Sequence, residues 1–250
     1  MNCIKNKCIH ASRVKSIIGA VEAKLYSILK TYKKVDLYIS PSNFLENKLL
    51  SAEGFYKGKT KTIHNFINKE KFTQSNFKTE DYILFVGRLS KEKGIENLAG
   101  AAKILKDYKF VVAGSGPEEG VLKGIPNVEL AGFVEGTALC ELIGKAKLLL
   151  LPSVCYENCP LSILEAHSLG VPVVTMNSGG MAELVEDGKT GGLAQEPTPN
   201  SVANTIKKCL NDNAYKKLKE NCEREGQNIM GVKEYCEILF EKYNNLNFKG

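Results

Sequence analysis

The chain has 250 residues, 43% of them hydrophobic and 25% charged, with a net charge of +6. The apolar share is enough to fill a core and excludes wholesale disorder, and the length suits roughly one to two domains. The positive excess is spread out with no dense lysine/arginine block, which argues against nucleic acid and leaves a phosphorylated ligand or an acidic membrane surface. The longest aliphatic stretch, Leu148 to Leu151, stops at Pro152, far short of the roughly 20 apolar residues of a membrane helix. Met1 to Lys5 opens no apolar run of the kind a signal peptide carries. A cytoplasmic protein is expected, its eight cysteines reduced and packed as small apolar groups. Cys3, Cys8 and His10 offer three of the four ligands of a structural zinc, at a spacing that matches no common pattern, so no metal site is predicted.

Residues 14 to 29 place Val14, Ile17, Ile18, Val21, Leu25, Ile28 and Leu29 on one helical face, with Arg13, Lys15, Lys24 and Lys30 elsewhere. Such a helix packs on a domain or lies on a membrane as a basic amphipathic helix; packing is the first expectation. Val35 to Ile39 reads as a strand ending at Ser40-Pro41-Ser42, residues 43 to 52 as a helix, and Thr60 to Phe66 as another strand. From Asp81 onward strands and helices alternate. The strands are Tyr82 to Val86, Phe110 to Ala113, Val128 to Ala131, Lys147 to Leu151 and Val171 to Met176. The helices are residues 95 to 106, 137 to 145, 161 to 169 and 199 to 211. The tail, residues 215 to 248, reads as helical, with Tyr235, Ile238, Leu239 and Lys242 on one face. Alternation of this kind predicts an α/β fold: a Rossmann-like parallel sheet with helices on both faces, its ligand beyond the C-terminal strand ends.

Three loops carry chemistry. In Phe85-Val86-Gly87-Arg88-Leu89-Ser90-Lys91-Glu92-Lys93-Gly94, Gly87 lets the chain turn off a strand, and Arg88 and Lys93 offer two cations where a diphosphate would lie. The same residues also suit an ordinary solvated loop. Ala113-Gly114-Ser115-Gly116-Pro117-Glu118-Glu119-Gly120 resembles a dinucleotide fingerprint, but Glu119 stands where that pattern needs a small residue, and the loop follows an interior strand. A nicotinamide-dependent oxidoreductase is rejected on those grounds, and the segment reads as a close-approach turn near a ligand. In Tyr156-Glu157-Asn158-Cys159-Pro160-Leu161-Ser162-Ile163-Leu164-Glu165-Ala166, Pro160 suits the first helical position, leaving the N–H groups of Leu161 and Ser162 for a phosphate. Glu157 is placed to reach the sugar end of a ligand and Glu165 a pair of ribose hydroxyls. The alternatives are a helix-dipole partner and a surface charge, and the apolar neighbours of Glu165 argue against the second.

These motifs, together with Gly132-Phe133-Val134 and with Gly179-Gly180 followed by Glu183, occur in an order that resembles the donor-binding half of a family 4 retaining glycosyltransferase of the GT-B fold, over about residues 80 to 210. Val35 to Phe44 resembles the last strand of that family's N-terminal domain and His64 to Ile67 its crossover. The resemblance implies that Arg88 and Lys93 hold the diphosphate of a UDP- or GDP-linked sugar. Glu157 would contact the transferred sugar and Glu165 the ribose, with the backbone around Phe133 and Val134 meeting the base. Gly87, Gly114, Leu161 and Ser162 would line the donor. Transfer would proceed with retention and with no metal or other cofactor, since the two cations and a helix N-terminus neutralise the leaving group and the chain has no D-x-D motif. Asn158-Cys159 replaces the family's usual Gly-Phe, and His167 stands where a methionine is usual; a histidine two positions past Glu165 points away from it and is expected to be a packed core imidazole.

On this reading residues 1–70 are the incomplete end of an acceptor domain, a remnant of a second Rossmann-like domain, with the crossover. Residues 71–230 are the donor domain, and 231–250 a C-terminal helix packing back on the N-terminal part. The acceptor is unassigned, with a lipid-linked or polysaccharide precursor as the expected class. A partner chain supplying the rest of the acceptor domain, and peripheral contact at the inner membrane face, are further expectations. The competing expectation is a non-catalytic subunit that binds nucleotide sugar or acts as a scaffold.

Overall fold

The computed structural model describes residues 2–6, 9, 12–52, 54–72 and 77–246. Cys8 and His10, two of the three groups weighed as zinc ligands, lie outside the described residues, as do residues 247 and 248 of the tail. The chain divides into two compact units, Met1–Ser40 with Glu46–Lys61, and Pro41–Leu45 with Thr62–Gly250.

In the first unit a short helix α1 (Asn2–Lys5) precedes α2 (Arg13–Ile28), whose N-cap Ser12 accepts the Lys15 N–H. Strands β1 (Tyr38–Ser40) and β2 (Thr60–Thr62) form a two-stranded sheet, and between them in sequence lies α3 (Asn43–Ala52), whose first three residues belong to the second unit. The α2 stripe is not packed as the sequence predicts. Val14, Ile18, Leu25, Ile28 and Leu29 are 52–66% exposed, and the helix turns Ser16 inward instead. Two strands of three residues each make too small a sheet to cover a 16-residue helix. The strand predicted over residues 60 to 66 ends at Thr62 because the segment beyond it bonds elsewhere: Asn65 Nδ2 donates to the Cys159 carbonyl, and the Ile67 N–H to that of Met230.

The second unit carries six parallel strands: β3 (Tyr82–Val86), β4 (Lys109–Ala113), β5 (Val128–Gly132), β6 (Leu148–Leu151), β7 (Val173–Met176) and β8 (Gly191–Ala194). Their spatial order is β5-β4-β3-β6-β7-β8. The chain winds outward from β3 through β5, returns to lay β6 beside β3, and winds outward again; the order therefore reverses between β3 and β6, the place where sheets of this kind bind ligands. Helices α4 (Ile95–Ile104), α5 (Gly136–Lys145), α6 (Leu161–Ser168), the short α7 (Met181–Leu184) and α8 (Pro199–Cys209) connect or follow the strands. Leu148 to Leu151 are all buried, and so are Tyr82 to Phe85, as double-sided cover by helices requires. β8, which the sequence reading missed, is Gly191-Gly192-Leu193-Ala194 and has no apolar pattern to read.

The tail is helical as expected, in two helices, α9 (Asp212–Gly226) and α10 (Val232–Asn244). Tyr235, Ile238, Leu239 and Lys242 are the half-buried face of α10, as their spacing predicts. The Tyr235 ring lies 4.6 Å from that of Phe66, and Glu234 pairs with Lys69 at 2.8 Å.

Candidate active site

The loops after β3, β4 and β5 enclose a cavity of about 570 Å³. Five of the residues singled out from the sequence line it: Gly87, Arg88, Gly114, Phe133 and Val134. Arg88 is exposed on its wall, and its guanidinium has no hydrogen bond or ion pair among the described residues. Phe133 is 73% exposed, leaving a broad apolar surface at the mouth. The Ser115 to Pro117 turn also lines the cavity, so the fingerprint-like loop does approach the ligand space. Its tightest approach, however, is to the β3 loop: a Cβ on Gly114 would stand 1.8 Å from the Gly87 carbonyl oxygen.

Lys93 closes a single 3-10 turn, Lys91–Lys93, and its ammonium pairs with Glu157 Oε1 at 2.5 Å. Ser153 Oγ donates to the same oxygen at 2.9 Å. The two loops that hold this pair are tied together, since the Val154 N–H donates to the Glu92 carbonyl at 3.0 Å. Behind Glu157, the Gly180 N–H donates to the Glu157 carbonyl at 2.7 Å. Glu92 lies between the two cations. The Ser90 hydroxyl, 2.6 Å from its Oε1, holds its carboxyl below the usual range, and Arg88 and Lys93 act in the same direction.

Helix α6 begins at Leu161, where the predicted span begins, so Pro160 stands just before the first helical position rather than in it. Pro160 is its N-cap, in extended conformation, and the Pro160 carbonyl accepts the Ile163 N–H at 3.2 Å. Neither Leu161 nor Ser162 finds an acceptor for its N–H among the described residues, so both point from the helix start as free donors. Glu165 sits half-buried on the same helix, its carboxyl without a hydrogen bond among the described residues, and burial pushes that carboxyl up. A carboxylate half-buried without a partner is costly to keep charged, which sets Glu165 apart from an ordinary surface charge. His167 is a core imidazole, as expected: it is 7% exposed and its Nε2 has no partner among the described residues. Burial raises the Cys155 and Cys159 thiols that flank Glu157, which keeps them protonated.

The structure adds a role for Glu183. Its Oε2 accepts the Asn43 N–H at 2.8 Å and Asn43 Nδ2 at 3.1 Å, while Oε1 accepts the Phe44 N–H. His64 Nε2 lies 3.4 Å away. The carboxylate thus caps the N-terminus of α3, where the helix dipole favours negative charge. The sequence marked Glu183 only as part of a glycine motif; its partners lie 140 and 119 residues away, and no local signal names them.

A cavity beyond β3, β4 and β5 with an unpaired guanidinium on its wall, a Lys93–Glu157 pair, and free N–H groups at the start of α6 suit an anionic ligand. The sequence profile described as Glycosyl transferases group 1 matches residues 66–229. The chain belongs to that glycosyltransferase family. It is 33% identical over 217 residues to an uncharacterized glycosyltransferase of Methanocaldococcus jannaschii, an alignment covering 77% of this chain and 55% of that protein. It is 29% identical to the amylovoran biosynthesis glycosyltransferase AmsK of Erwinia amylovora, covering 70% of this chain and 47% of AmsK. Among solved structures it is similar to HepE of Anabaena in complex with UDP and glucose, with a TM-score of 0.74 at 22% identity over 84% of this glycosyltransferase chain and 64% of HepE. That likeness establishes the fold as GT-B. The chain spans about half the length of the curated relatives it matches.

Proposed function

We propose that this chain supplies the donor site of a family 4 glycosyltransferase that moves a sugar from a nucleoside diphosphate to a growing saccharide, retaining the anomeric configuration without a metal. Residues 71–230 act as the donor domain, residues 1–70 as the end of an acceptor domain and crossover, and 231–250 as its closing helix. The observation that supports the reading is the cavity that Gly87, Arg88, Gly114, Phe133 and Val134 line beyond β3 to β5, together with the Lys93–Glu157 pair and the free N–H groups of Leu161 and Ser162 on segments that follow β3 and β6. Arg88 and Lys93 hold the diphosphate and, with the α6 N-terminus, take up the charge that develops on it as the glycosidic bond breaks. Glu165 accepts from the ribose hydroxyls, Glu157 from the transferred sugar, and the base enters the cavity beside Phe133 and Val134. Uridine is the first base to test, because HepE binds UDP. A polysaccharide acceptor is favoured by the amylovoran enzyme among the relatives.

Calorimetric titration with UDP, GDP and their common sugar conjugates tests the donor site. Saturable binding is expected, weakened some 30-fold by Arg88→Ala, in line with about 2 kcal/mol for hydrogen bonds to a charged group. Silence from every nucleotide, with a folded protein, sinks the reading.

We also propose contact with anionic membrane through α2 and the residues after it. Residues 13 to 34 carry six cations, Arg13, Lys15, Lys24, Lys30, Lys33 and Lys34, against Glu22 alone, beside the exposed apolar stripe. Flotation should carry the protein with vesicles containing phosphatidylglycerol and leave it behind with neutral ones. Equal recovery in both rules the contact out.

A further inference from the structure

The cation expected to hold the diphosphate is already engaged. Lys93 is bound to Glu157, and the pair is partly shielded, with side chains 27% and 16% exposed. The carboxylate is itself fixed: Ser153 Oγ donates to the oxygen that binds Lys93, and the Gly180 N–H holds the Glu157 backbone. The Lys93 side is equally constrained, because its turn is bonded through the Glu92 carbonyl to the Val154 N–H. The backbones on both sides are therefore pinned, and what remains free to move is the flexible four-carbon stem of Lys93.

We propose that Glu157 discriminates between the intact donor and the spent nucleotide by competing for Lys93. This rests on the donor-site reading above. An ammonium is a compact point charge and cannot serve a carboxylate and a diphosphate fully at once. A diphosphate that recruits Lys93 leaves a half-buried Glu157 with two neutral donors, the Ser153 hydroxyl and, more weakly, the Cys155 thiol, a loss that weakens binding. When the diphosphate carries a sugar, hydroxyl donors reach Glu157 and offset that loss. When it does not, the carboxylate stays uncompensated. Nucleoside diphosphate alone is therefore held more weakly than the sugar nucleotide, and once transfer has removed the sugar Glu157 recaptures Lys93 and speeds release. Glu157 in this role is a positioning residue acting through Lys93, in addition to its contact with the sugar.

The test titrates UDP and UDP-glucose into the native chain, Glu157→Gln, Lys93→Met and the double variant, with GDP and GDP-mannose as the second pair. Glutamine keeps the shape but surrenders the charge. Glu157→Gln is expected to bind the free diphosphate about ten-fold tighter than the native chain while gaining less, or losing, for the sugar nucleotide. In the Lys93→Met background the same substitution should change diphosphate affinity less than two-fold. Unchanged or weaker diphosphate binding by Glu157→Gln overturns the proposal. So does an equal gain with Lys93 absent, which would assign the effect to direct repulsion between Glu157 and the phosphates. Binding by none of the four chains overturns the donor-site reading itself, and the competition with it.

Discussion

Gly114→Ala is expected to lower unfolding stability by roughly 4 kcal/mol, combining about 1–3 kcal/mol of backbone strain with a similar penalty for overpacking. Gly114 has φ +148°, a region that side chains rarely occupy, and a Cβ there would overlap the Gly87 carbonyl oxygen at 1.8 Å. Neither partner is free to withdraw. The Gly87 N–H donates to the Ala113 carbonyl at 3.0 Å and the Gly114 N–H to that of Gly132 at 2.6 Å, so the three adjacent strand ends are locked together. Displacing Gly87 also moves Arg88, and the folded fraction of the variant should bind nucleotide more weakly. Gly120 is the control. It ends the same glycine-rich segment, has no positive φ, and faces open space. Gly120→Ala should change stability by less than about 1 kcal/mol and in the stabilising direction, through the unfolded chain. Urea denaturation of the two variants decides the matter, and similar midpoints would show that the β3 and β4 loops are not in the close contact described.

The second large effect is a loss of stability in mild acid. Burial lowers the His167 imidazole from 6.5 to about 4; the Thr190 backbone and Glu225 act the other way and are outweighed. The folded state therefore binds fewer protons than the unfolded chain between those two values. The stability associated with neutral His167 is complete above pH 6.5 and is lost as pH falls from 6.5 toward 4, by about 3 kcal/mol in all. His167→Met should abolish that share of the acid slope. At pH 7.5 it should be neutral or slightly stabilising, because it also removes the unpartnered Nε2. Subtracting the variant's stability-against-pH curve from the native one isolates the histidine from the carboxylates that titrate lower. A flat difference between pH 7 and 4 would place His167 in contact with water.

Much of the fold is legible residue by residue. Leu148 to Leu151 and Tyr82 to Val86 are continuous apolar runs that only a sheet covered on both faces can bury, and the half-buried positions of α10 were already spaced as one helical face. Gly191-Gly192-Leu193-Ala194 was illegible for the opposite reason: it holds its place in the sheet through backbone pairing with β7, which leaves no trace in side-chain pattern. The α2 stripe shows the limit of periodicity. Spacing reports that a face is apolar and says nothing of whether a surface exists to cover it.

The candidate site divides along the same line. Local chemistry alone determines which groups can meet a sugar nucleotide, because a guanidinium, an ammonium, a carboxylate and a free helix N–H carry their affinities with them wherever they sit. It determines the centre of the parallel sheet as well, because burial on both faces is written into β3 and β6. Tertiary structure decides which of those groups meet each other. Lys93 and Glu157 are 64 residues apart and Glu183 stands 140 from Asn43; they touch because the return crossover lays β6 beside β3 and because Pro41–Leu45 belongs with the second unit. A charge has no sequence signature for its partner, since Coulomb attraction depends on distance in space, and that distance is set by strand order.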